Sequence, residues 1–142
     1  FQFVEKHGAV LYDMMKDLDR KVFYVWGGTD TQTRENIREI TEKEKNAIIV
    51  ASYGTFSTGI NIRNLHNVVF SSPSKSRIRV LQSIGRGLRQ GTDKSTATLY
   101  DIADDLTWKT KQNFTLRHFM ERINIYNEEE FDYEIKNLPI ES

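Results

Sequence analysis

Cysteine is absent, so no disulfide staples this chain and no thiolate can hold a metal ion. That absence fits a reducing compartment and sets an expectation of the cytoplasm. Long apolar runs are lacking too. Nothing approaches the roughly 20 residues that cross a bilayer, and no signal-peptide pattern opens the chain. Net charge is zero, with 20 basic residues against 20 acidic ones. Net charge therefore gives no chain-wide attraction to nucleic acid, and any basic footprint must be local. No Gly-x-x-x-x-Gly-Lys-Ser/Thr phosphate loop occurs. No Gly-x-Gly-x-x-Gly opens a helix after the first strand, which argues against a Rossmann-like ligand domain. Internal repeats and low-complexity linkers are also missing.

What is present suits one domain with one core: 142 residues, 38% apolar and 28% charged. The opening Phe1-Gln2-Phe3-Val4 carries no Met, so a piece that begins inside or beside a strand is expected. Gly8 to Leu18 reads as a helix with Val10, Leu11, Met14, Met15 and Leu18 on one side. Lys21 to Trp26 is a strand-like run stopped by Gly27-Gly28. Thr31 to Lys45 is polar and helical, with Thr31 as its expected N-cap. Ala47 to Ala51 is continuously apolar, as in a strand buried on both faces. Val68 to Phe70 and Thr96 to Ile102 are further strands, and Ser76 to Gln90 a helix. Leu116, Phe119, Ile123 and Tyr126 follow a helical spacing, and Glu128-Glu129-Glu130 reads as a solvated face. Strands separated by helices imply an α/β domain with a mainly parallel sheet, whose sites gather beyond the carboxyl ends of the strands.

The strongest chemical signal is Gln82-Ser83-Ile84-Gly85-Arg86-Gly87-Leu88-Arg89. On a helix, positions 82, 86 and 89 share one stripe with Arg79, while Leu81, Ile84 and Leu88 form another. Two guanidiniums one turn apart make a fork for polyphosphate oxygens. Gly85 and Gly87 each cost the helix about 1 kcal/mol relative to Ala, which close approach of a ligand or another backbone would justify. From spacing alone, a solvated amphipathic helix or a Gly/Arg segment for RNA stays open. The second signal is the run Ala51 to Asn61, directly after the strand at 48–50. Small, hydroxyl and glycine residues there can present donors to phosphates, as can many generic loops.

The pattern Gln-x-x-Gly-Arg-x-x-Arg resembles motif VI of superfamily 2 helicases, and the run Ala51 to Asn61 resembles the motif V that stands one strand earlier. Together with Phe1 to Met15 (motif IV) and Trp26 to Arg34 (motif IVa), the resemblance covers roughly Phe1 to Asp105. It implies a RecA-like three-layer lobe, with a mainly parallel central sheet flanked by helices, over residues 1–105. Residues 106–142 are expected to form a helical extension packed on or beside it. The resemblance implies that Arg86 and Arg89 reach the ATP γ-phosphate, one as an arginine finger. It places Gln82, Gly59 and Asn61 near the nucleotide. It places Ser52, Thr58, Gly59, Gly28, Arg34 and His7 along the nucleic-acid strand. Many members of the family carry Asp where this chain has Asn61. The alternatives remain a helix start for His7-Gly8, a core position for Trp26 and a helix-surface charge for Arg34. The basic stretch Ser74 to Arg79 is either a phosphate contact or the polar start of a helix. Asp101, Asp104 and Asp105 suit loop or capping roles, and His66 and His118 lack ligand-spaced partners, so no metal site is expected.

The wording of these segments is most similar to UvsW-type helicases of T4-like phages, which remodel branched DNA. That implies DNA as partner, ATP and Mg2+ as cofactors, and the host cytoplasm. The phosphate-binding lysine and Mg2+-binding acids of such enzymes are not in this chain, so an N-terminal RecA-like lobe is expected to supply them. A non-catalytic RecA-like module that docks nucleic acid or a protein is the competing reading.

Overall fold

The computed structural model describes residues 4–55, 62, 65–72 and 97–140. They divide into two compact units, residues 1–103 and 104–142.

In the first unit a π-helical turn, Val4–Gly8, runs into helix α1, Ala9–Met15. The helix therefore begins earlier than its glycine suggests, and Val4 is helical rather than the end of a strand. The expected apolar side of α1 is also only partly inward: Val10 and Met14 face solvent, as does Leu18 beyond the helix. Strand β1, Val22–Val25, follows, then helix α2, Thr31–Lys43, and strand β2, Ile48–Ala51. The N-cap of α2 is Asp30, not Thr31. Its carboxylate accepts from the Thr33 amide at 2.9 Å and from the Thr33 hydroxyl at 2.7 Å. A carboxylate one residue earlier reaches two donors, where a threonine hydroxyl at 31 would already lie inside the first turn. These hydrogen bonds hold the Asp30 carboxyl below its usual pKa, the Thr33 hydroxyl contributing most. Arg38 hydrogen bonds to both Glu35 and Glu42, bracing the helix surface one turn in each direction.

β1 and β2 pair in parallel, with Val22 opposite Ile48 and Val25 opposite Ala51. Alternation along a strand puts Phe23, Val25 and Ile49 on one face and Tyr24 and Val50 on the other. Phe23, Val25 and Ile49 pack with Ile37 of α2 and with Ile62. The Tyr24 ring meets Tyr12 of α1 at 5.5 Å between centroids. The two helices thus cover opposite faces of the ladder, giving the three layers of an α/β domain. Coverage is incomplete: Val50 is buried while Ile48 and Ile49 are half-buried, so β2 is not enclosed on both faces as its apolar run suggests.

A second parallel ladder joins β3, Asn67–Phe70, to β4, Thr98–Asp101, with Val68 opposite Leu99 and Phe70 opposite Asp101. The carboxyl ends of the strands are tied together. The Ser52 amide donates to the Val25 carbonyl at 3.0 Å, and the Tyr53 hydroxyl donates to the Ser72 carbonyl just past β3 at 2.9 Å. The Tyr53 ring also meets Phe70 edge-on at 5.8 Å. Tyr53 therefore bridges the ends of two ladders.

The second unit centres on helix α3, Phe114–Glu128. Ile123 and Tyr126 are buried on it, and Leu116 and Phe119 half-buried, matching their spacing. Glu130 takes a left-handed φ of 56°, letting the Phe131 amide reach back to the Tyr126 carbonyl at 2.9 Å. This closes the helix in the manner usually left to glycine. The rings of Phe131 and Tyr133 then pack around Tyr126. No helix among the described residues is long and apolar enough to cross a membrane.

Candidate nucleic-acid and nucleotide interface

Four of the sequence-derived site residues, Ser52, Gly28, Arg34 and His7, are described. Gln82, Arg86, Arg89, Thr58, Gly59 and Asn61 lie outside the described residues, as do the helix expected over 76–90, the basic stretch 74–79 and residues 1–3.

Ser52 and the Gly27-Gly28 turn stand side by side, because β1 and β2 end in register and Ser52 bonds to Val25. The sequence Ser-Tyr-Gly-Thr makes Ser52 the cap of a helical turn at 53–55. Its Oγ lies 2.7 Å from the Thr55 hydroxyl and accepts weakly from the Thr55 amide at 3.4 Å. A serine hydroxyl carries one proton and two lone pairs. In the orientation in which the Thr55 hydroxyl donates to Ser52, the Ser52 proton is free for an anionic oxygen.

The neighbouring turn is braced from several directions. The Thr29 amide donates to the Trp26 carbonyl at 2.9 Å, and the Trp26 amide donates to the Thr29 hydroxyl at 3.1 Å. From one turn inside α2, an Arg34 guanidinium nitrogen donates to the Gly27 carbonyl at 3.0 Å. Arg34 Nε is buried there without a hydrogen-bond partner among the described residues. Arg34 therefore bends back onto the glycine turn instead of standing out as a surface charge. The Trp26 indole lies directly over Gly28, so a Cβ at position 28 would run into the ring. Gly28 is needed for this stacking, and Trp26 remains 40% exposed at the strand end, not in the core. Sequence reasoning left Trp26 open; its place after the last strand residue and before two glycines was the available signal.

His7 sits half-buried in the π-helical turn, and burial is the chief cause of a pKa below its ordinary 6.5. The neutral imidazole is favoured at neutral pH, able to stack or accept a hydrogen bond but carrying no charge for a phosphate. No hydrogen bond or ion pair among the described residues joins it to Ser52, Gly28 or Arg34. Asp104 and Asp105 serve the loop. The Asp104 carbonyl accepts from Asn113 and Thr115, and the Asp105 carboxylate accepts from the Thr107 amide at 3.0 Å. Among the described residues no group of three or more His, Cys, Asp or Glu side chains could hold a metal ion.

Residues 2–91 match the helicase conserved C-terminal domain. This chain belongs to that family. The helicase C-terminal domain is RecA-like, in keeping with the parallel ladders and the helices on both faces of β1–β2. The chain is 42% identical to the ATP-dependent DNA helicase uvsW of Enterobacteria phage T4, over 93% of its own length and 28% of the relative. It is 29% identical to the putative helicase 22 of a Sulfolobus islandicus filamentous virus, over 72% of the chain and 18% of that protein. It is 28% identical to the putative ATP-dependent helicase IRC3 of Saccharomyces cerevisiae, over 68% of the chain and 14% of that protein. The chain thus spans about a quarter or less of the length of these relatives. No solved structure matches it.

Proposed function

We propose that this helicase C-terminal domain is the second motor lobe of an ATP-dependent superfamily 2 helicase or translocase that unwinds or branch-migrates DNA. The observation that carries the reading is the family match over residues 2–91, joined by 42% identity to a DNA helicase along nearly the whole chain. The paired strand ends support it, since they set the Ser52 hydroxyl beside the braced glycine turn at the edge where sites of parallel α/β sheets form. In this reading Ser52, Thr58, Gly59 and Gly28 follow the sugar-phosphate backbone. Arg34 holds the Gly28 turn in place, and His7 is a neutral contact. Gln82, Gly59 and Asn61 meet the nucleotide, and Arg86 and Arg89 meet its γ-phosphate. ATP is held mainly by an N-terminal RecA-like lobe of the same polypeptide. Mg2+ is assigned to that lobe as well, because the acids that hold it in such enzymes belong to the N-terminal lobe. Residues 1–105 form the lobe and 106–142 an extension to it. The working compartment is the cytoplasm, that of the host if a phage encodes the protein.

The chemistry asked of this chain is electrostatic. Phosphoryl transfer is accelerated by positioned positive charge, and an arginine finger is worth roughly 10³–10⁵ in rate. In the complete polypeptide, Arg86→Ala and Arg89→Ala should each lower nucleic-acid-stimulated ATP turnover by at least about 10³-fold. Oligonucleotide affinity without nucleotide should change little. Phosphate-release kinetics and fluorescence anisotropy measure the two. Normal hydrolysis by both variants would remove the finger assignment and favour the non-catalytic module.

A further inference from the structure

We propose that residues 106–117 form a second nucleic-acid contact, in which Trp108 and Phe114 stack on unpaired bases while Lys109, Lys111 and Arg117 hold phosphates. The segment lies beyond the family match, which ends at residue 91. The proposal rests on the reading of the polypeptide as a nucleic-acid motor.

The geometry is that of a rigid tip. Trp108 and Lys111 exchange both backbone hydrogen bonds, at 3.1 and 3.0 Å, closing a tight turn over Lys109 and Thr110. Lys109 takes a left-handed φ of 55°, a conformation glycine would adopt more cheaply. Strain of this kind at a side-chain-bearing residue is a pointer to function. Below the tip, Asn113 clamps the stem: its Oδ1 accepts from the Leu106 amide at 3.1 Å and its Nδ2 donates to the Asp104 carbonyl at 2.9 Å. Thr115 adds a hydroxyl hydrogen bond to the same carbonyl at 2.8 Å. The stem is therefore ordered before any ligand arrives.

What this tip presents is large and apolar, yet cationic. Trp108 is 75% exposed and Phe114 72% exposed. The Arg117 guanidinium lies 4.4 Å from the Phe114 ring centroid, coupling a charge to an aromatic face. From Leu106 to Met120 there is no acidic residue, while Lys109, Lys111 and Arg117 are all basic. The nearest carboxylates by sequence are Asp104, Asp105 and Glu121, and the Asp105 carboxylate is engaged by Thr107. In a chain of zero net charge, this run is a local basic footprint of the kind that nucleic acid requires. Exposed aromatics interleaved with cations suit single strands, whose bases offer free faces for stacking. The core of a protein interface would instead be poor in lysine. Closed duplex presents stacked bases, so the ligand class is single-stranded nucleic acid or the open arm of a fork.

The test uses the complete polypeptide and a fluorescent single-stranded oligonucleotide, with affinity measured across a salt series. Trp108→Ala should weaken binding about ten-fold, and Trp108→Phe should retain most of it. Lys109→Gln with Lys111→Gln should lower the slope of log K against log salt by roughly 1.4, as expected for two lost phosphate contacts on a single strand. Basal ATP hydrolysis and the melting temperature should stay at wild-type values. Wild-type affinity and salt slope in all three variants would overturn the proposal while leaving the motor reading intact. A fall in melting temperature and basal hydrolysis, with the salt slope unchanged, would mark the tip as a docking surface for the rest of the polypeptide and overturn it too. A wild-type polypeptide that binds no oligonucleotide would sink both.

Discussion

At Tyr53 a ring and its hydroxyl together join the ends of β2 and β3. The ring is buried against Phe70, and the hydroxyl donates to the Ser72 carbonyl. Removing the hydroxyl leaves that carbonyl short of a donor at a buried site. Tyr53→Phe should therefore cost about 1–3 kcal/mol of stability, read as a lower midpoint in denaturant with an unchanged slope. In the sequence this tyrosine is one member of a loop of small polar residues. Nothing local distinguishes it, because its partner lies nineteen positions away. Arg34 is the converse case. Its place in a motif was legible, but its bond to the Gly27 carbonyl depends on how α2 leaves the turn. Lys109 and Glu130 are illegible for a third reason: backbone hydrogen bonds around the turn hold non-glycine residues in a region that sequence reasoning reserves for glycine.

Elements follow the same logic one step up. The four strands among the described residues coincide with runs that apolar and β-branched residues mark out, and α3 with a clear helical spacing. The start of the chain resisted such reading because Glu5-Lys6-His7-Gly8 carries no capping signal and enters the helix through a π-turn. The glycine turn between β1 and α2 is the element on which the proposed nucleic-acid face depends. Gly28→Ala would push a methyl group into the Trp26 indole, which can yield only by swinging off the turn. Because Trp26 is partly exposed, the fold should survive, with a melting temperature close to wild type. Its indole environment should change, seen as a shift in tryptophan emission in a Trp108→Phe background. Only two tryptophans are present, so the signal reports Trp26. An unaltered spectrum would contradict the stacking. Gln82, Arg86 and Arg89 are readable as a spaced pattern, and their proposed roles come from the resemblance to motif VI, since all three lie outside the described residues.

For the whole molecule, the relevant fact is proportion. The chain matches 28% of a phage helicase and contains no phosphate-loop lysine. A γ-phosphate contact without a phosphate cradle contributes to a transition state it cannot assemble. The 142-residue chain alone should release no phosphate from ATP above the uncatalysed background, with or without DNA. Hydrolysis by the chain alone that is sensitive to Arg86→Ala would contradict the division of labour proposed above.

The tied strand ends carry a mechanical consequence. Ser52 is anchored to β1 through the Val25 carbonyl, and the next residue is anchored past β3 through Ser72. A tug delivered to this loop by a moving polymer would be shared by the two pairs of strands at once, instead of peeling a lone strand from its neighbour. The clasp at Tyr53 makes the two ladders share that load.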